Sequence, residues 1–126
     1  MKKLKTKWFN KWAKKQKISD AKFLIAIENM QNHLSSVNLG GGLFKVRVAS
    51  DNSGKSSAYR TIVVYREDDM AVMVYGFMKK ERENLSSDEL KSFKILSKDI
   101  LSLDDEALTG AIEKKVFVKI GEKDER

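Results

Sequence analysis

Between residues 43 and 82 the chain runs through three stretches of strand character: LFKVRVAS, AYRTIVVYRED and MAVMVYGFMKKER. Phe44, Val46 and Val48 alternate with Lys45 and Arg47, the two-residue period of a half-buried strand. Tyr59 to Tyr65 reads as the next strand, and Glu67-Asp68-Asp69 as a hairpin turn. Met70 to Met78 then returns, with Ala71, Met73, Tyr75 and Phe77 predicted on one side. Strands joined by short loops are most often antiparallel neighbours, so the centre of the chain predicts a small antiparallel sheet.

Helical periods flank this block. Leu4, Trp8, Phe9, Trp12 and Ala13 recur at spacings of three to four, which predicts a short amphipathic helix from about Thr6. Ser19 or Asp20 caps a second helix, whose stripe is Phe23, Ile27, Met30 and Leu34, widened by Leu24 and Ile25. Residues 37–42, VNLGGG, predict a tight connection from that helix into the sheet. Ser86-Ser87-Asp88-Glu89 is a capping box and opens a helix through Leu90, Phe93, Leu96, Ile100 and Leu101. A short helix follows from about Asp104, and Val116 to Ile120 suits an edge strand. The expected architecture is α+β: one domain over residues 1–126, its antiparallel sheet covered by N-terminal helices and a C-terminal helix.

Charge changes this picture from a fold into a candidate surface. The net charge of +7 is unevenly spread: residues 1–80 hold 16 Lys or Arg against 6 Asp or Glu, and residues 81–126 hold 9 against 12. A basic face of that size favours polyanions through counterion release. The absence of cysteine excludes disulfides and thiolate metal sites and fits a reducing, cytoplasmic setting. No apolar run approaches a membrane span, and the basic N-terminus lacks the apolar segment of a signal peptide. No cofactor and no metal are expected.

The cations concentrate on the strand block. Lys45 and Arg47 point the same way, about 7 Å apart by the strand rise. Lys55 sits in the polar loop SDNSGKSSA, Arg60 on the second strand, and Lys79, Lys80 and Arg82 follow the third. RNA carries its own nucleophile, the 2′-OH beside the scissile phosphate. A protein need only align it, move two protons and stabilise a pentavalent dianion, work for which Lys and Arg are suited. Tyr75 is open between core packing and stacking on a base, and Phe77 is read as core. His33 has no acid or hydroxyl constellation around it and is left outside the site.

The segments LGGGLFKVRVAS, SGKSSAYRT and VYGFMKKERENLSSDELK, with KTKWFNKWAKK ahead of them, resemble the RelE/HigB-type toxins of bacterial toxin–antitoxin modules. The resemblance implies a RelE-like α+β fold with helices against one face of an antiparallel sheet. It implies an endoribonuclease, an mRNA interferase that cuts mRNA on the ribosome, and the cation chemistry above predicts that the cut is metal-independent. By position, it assigns catalytic roles to Lys45, Arg47, Arg60 and Lys80 and matches Lys79 and Arg82 to the same basic segment; RNA contact is expected of Lys55, Tyr75, Lys79 and Arg82. The family's late tyrosine falls near Ser86, and the histidines of some HigB toxins are missing. The partners it implies are mRNA, the ribosome and a cognate antitoxin of helix-turn-helix type. Two other classes remain open: a ParE-like gyrase inhibitor on the same scaffold, and an RNA- or ribosome-binding protein without catalysis.

Overall fold

The computed structural model describes residues 1–49 and 58–121. In chain order the elements are β1 (Lys2–Thr6), α1 (Lys7–Gln16), α2 (Asp20–Gln31), β2 (Ser36–Gly40), β3 (Leu43–Ala49), β4 (Ala58–Arg66), β5 (Met70–Met78), α3 (Ser87–Leu101), α4 (Asp105–Glu113) and β6 (Phe117–Lys119). The strands form one sheet of order β2-β3-β4-β5-β1-β6. The hairpins β2–β3, β3–β4 and β4–β5 are antiparallel, as is β1–β6, while β1 joins β5 in parallel. This is an α+β fold of the RelE type.

Alternation along the strands makes both faces of the sheet apolar. On β4, Val63 packs with Phe9, Phe23, Ile27 and Met30 of α1 and α2, whereas Ile62 and Val64 pack with Ile100 of α3 and Leu108 of α4. The helices thus divide between the two faces instead of lining one. The capping box of α3 is formed as expected: Ser86 Oγ accepts from the Glu89 N–H, and Glu89 accepts from the Ser86 N–H. Asp104 caps α4, and β6 is an edge strand.

Four details differ from the pattern reading. First, a strand precedes α1: Leu4 is buried beside Val72, and Lys5, 8% exposed in its side chain, points the other way to pair with Asp20 at 2.6 Å. Second, residues 36–40 form the edge strand β2 in place of a bare connection, and Gly41 and Gly42 turn it into β3 at φ +65° and +80°, where side chains are strained. Third, the expected side of β5 is split. Ile62 pairs with Tyr75 and Val63 with Met73, so Val74 is an extra residue, a bulge. Ala71 and Met73 consequently face α1 and α2, while Tyr75 and Phe77 face α3. Fourth, in α2 Phe23, Ile27 and Met30 are buried, but Ile25 and Leu34 are exposed, the latter because the helix has ended at Gln31.

Candidate functional site

Strand register brings the central cations together. Lys45 lies opposite Ile62, Arg47 opposite Arg60, and Arg60 opposite Phe77. Val46 and Val48 are buried against α1 and α2, so Lys45, Arg47 and Arg60 share the other face, the one α3 crosses. α3 passes over the Leu43 end of that face, where Ser97 Oγ donates to the Gly41 carbonyl at 2.7 Å. The Arg47–Arg60 end is left open to a cleft.

The cleft has two lobes. One, of about 230 Å³, is lined by Lys45, Arg60, Lys79, Glu83 and Asn84. The other, of about 380 Å³, is lined by Ser35, Ser36, Val37, Lys45, Arg47 and Arg60. Lys45 and Arg60 belong to both. Lys45 Nζ donates to Asn84 Oδ1, which fixes the ammonium across the cleft. Arg60 Nη1 is buried and has no hydrogen-bond partner among the described residues. A buried guanidinium nitrogen without an acceptor is costly, and an anion bound in the cleft would remove that cost. Lys79 is held beside β4 by its own N–H, which donates to the Ala58 carbonyl at 3.0 Å. Lys80 is exposed in the turn that follows and lines neither lobe.

Tyr75 and Arg82 form a second, internal group on the same face. The Arg82 guanidinium donates to both Glu89 oxygens, at 2.8 and 2.9 Å, and to the Tyr75 hydroxyl at 2.9 Å. It also lies over the Phe77 ring, 4.9 Å from the centroid. Its hydrogen bond to Glu89 raises the Arg82 pKa. The Arg82 bond, followed by that from the Ser86 N–H, holds the Glu89 carboxyl down at about 2. Arg82 therefore pins the 79–86 segment to the start of α3. The Tyr75 ring is flanked by Trp8 and Phe93, with centroids 4.7 and 5.1 Å away. Lys55 lies outside the described residues.

The structure thus gathers Lys45, Arg47, Arg60 and Lys79 into one cleft, and separates Lys80 and Arg82 from it. It adds Asn84, Glu83 and the Ser35–Val37 edge, none of which stood out in the sequence. Asn84 and Glu83 carried one weak signal, their place just ahead of a capping box, where the chain has to fold back over the sheet. Among the described residues Glu83 is the acidic side chain that lines the cleft. Such a site can bind a phosphate diester, neutralise further charge as it develops, and offer a carboxylate as proton acceptor. The family model of the RelE toxin of the RelE/RelB toxin–antitoxin system matches residues 1–120. Among curated proteins none matches the chain.

Proposed function

The chain belongs to the RelE toxin family of toxin–antitoxin systems, and on that premise we propose that it is a ribosome-dependent mRNA endoribonuclease that inhibits translation. The observation that carries this reading is the opposed pair Arg47–Arg60, flanked by Lys45 and Lys79 and holding a buried guanidinium nitrogen with no partner among the described residues. Four cations along one two-lobed cleft suit a diester that gains negative charge in its transition state.

The chemistry is transfer within the RNA. The 2′-oxygen attacks the adjacent phosphorus, the bond to the 5′-oxygen breaks, and a 2′,3′-cyclic phosphate remains, which water opens to a 3′-phosphate. Arg47 and Arg60 grip the non-bridging oxygens, for which their planar forks are shaped. Lys45, oriented by Asn84, neutralises the charge on the pentavalent phosphorus. Glu83 accepts the 2′-OH proton and Lys79 donates to the departing 5′-oxygen. Lys80, exposed in the turn after β5, adds positive charge near the cleft. A cognate antitoxin of helix-turn-helix type is the partner, and the cytoplasm the place of action.

The test is primer extension on a defined mRNA in a reconstituted translation reaction, with and without ribosomes. Wild-type protein runs beside Arg60→Ala and Lys80→Ala. Cuts that require ribosomes, and fall at least a hundredfold in Arg60→Ala, are the expected result. Growth arrest with intact mRNA would overturn it, and gyrase-linked DNA breaks would replace it with a different target.

A further inference from the structure

Trp8 lies in the first turn of α1 and is 47% exposed. Large aromatic rings seldom keep so much surface in water. The ring is nevertheless fixed. It lies on Tyr75, centroids 4.7 Å apart and planes at 27°, and is near-parallel to Trp12 one turn later, at 6.3 Å and 11°. Tyr75 is backed by Phe93 and tethered through its hydroxyl to Arg82. The stack is held from within, and its most exposed member is Trp8.

Its position relates it to the cleft. Tyr75 pairs with Ile62, and Ile62 with Lys45, so Trp8 continues a cross-strand row that starts at a cleft residue. Three strand spacings of about 4.8 Å put it on the order of 14 Å from the Lys45 strand. Lys7 and Lys11, on the same turns of α1, are exposed, and residues 1–17 contain no acid. An aromatic face beside cations, in line with a phosphate-binding cleft, matches single-stranded nucleic acid: bases stack on rings while lysines follow the backbone.

We propose that Trp8 is a stacking platform for a nucleobase of the RNA strand, a few nucleotides from the scissile phosphate. This rests on the nuclease reading above and adds to it a determinant of where the strand is held. Preformed stacking costs the bound state little ordering, since Tyr75 already holds the ring.

The probe is a short mRNA carrying one abasic nucleotide, scanned through the positions around the cut, presented free and on programmed ribosomes. Cleavage efficiency, kcat/KM, is measured for wild type, Trp8→Phe, Trp8→Leu and Trp8→Ala, with thermal unfolding as the folding control. Trp8→Ala and Trp8→Leu should lose about 5- to 150-fold, the range for one stacked base, and Trp8→Phe should retain most of the activity. One abasic position should weaken the wild type by the same factor and leave Trp8→Leu unaffected. Full activity in folded Trp8→Leu, or equal abasic losses in both proteins, overturns the platform and leaves the nuclease reading standing. A loss of antitoxin binding with RNA cleavage intact would reassign Trp8 to a protein interface. Wild-type protein that cuts neither form of the mRNA overturns both proposals.

Discussion

Arg47 and Arg60 stand directly opposite each other on adjacent antiparallel strands, β3 and β4. Like charges in that position destabilise a sheet, by about 0.2–1 kcal/mol relative to a neutral pair. One nitrogen of Arg60 is, in addition, buried and unpartnered among the described residues. The pair makes physical sense as a receptor for an anion. Arg47→Gln should therefore raise the melting temperature at low salt, by up to about 4 °C for ~1 kcal/mol in a chain of this size, while reducing RNA cleavage. Inorganic phosphate should stabilise the wild type and do less for the variant. Scanning calorimetry with and without phosphate checks both; equal phosphate shifts in the two proteins would remove the anion role.

The ion pair between Arg82 and Glu89 makes a different prediction, about pH. Glu89 is held at about 2 in the folded chain, against an ordinary value of 4.5. Between those values the unfolded chain binds the proton first, so stability rises with pH across the window. The contribution is complete above about pH 4.5 and is lost as pH falls toward 2. Melting curves from pH 7 to pH 2 should show wild type and Glu89→Gln well separated at neutral pH and converging at the acid end. A constant separation across the range would mean that the lost contact is steric and not ionic.

The sequence made much of this legible, and the exceptions have physical causes. The capping box at Ser86 and the alternation of Phe44, Val46 and Val48 are local signals, and both elements formed where expected. β1 was hidden because KKLKT has a single apolar residue; its strand state comes from a partner, β5, some 70 residues away. The Lys5–Asp20 contact is long-range in the same way. The bulge at Val74 left no trace, since MAVMVYGFM is nearly all apolar and gives no period to break. For the site, the residue types were readable but their company was not. Arg47 and Arg60 meet because of register, and Lys79 enters the cleft in place of Lys80 because the chain turns after β5.

Gly76 is where α1 meets β5. A Cβ built there would lie 2.4 Å from two carbons of the Trp12 ring. Trp12 is itself wedged edge-on against Tyr59 and tilted against Phe9, so it has little room to withdraw. Gly76→Ala should cost ~1–3 kcal/mol by overpacking, measured by urea denaturation. Pairing it with Trp12→Leu should recover part of the loss, because the double variant has removed the opposing ring. If the single variant is as stable as wild type, α1 is more loosely docked than its aromatic contacts describe.

Glu83 separates two roles that a carboxylate can play among cations. It lines the cleft with Lys45, Arg60 and Lys79. If it merely weakens the local positive field, Glu83→Gln should tighten RNA binding and leave the chemical step as it is or faster. As the acceptor of the 2′-OH proton, it should cost about 10²- to 10⁴-fold in the cleavage rate when replaced by Gln, with binding equal or tighter. The second outcome is expected here, because Lys45 and the arginines supply charge and, among the described residues, no other side chain lining the cleft is a carboxylate. Single-turnover cleavage under saturating protein measures the chemistry free of binding. A substrate with a 2′-deoxy sugar at the cut, still bound by Glu83→Gln, supplies the affinity. Loss of rate with binding preserved identifies a base; loss of binding would instead make Glu83 a support for the cations around it.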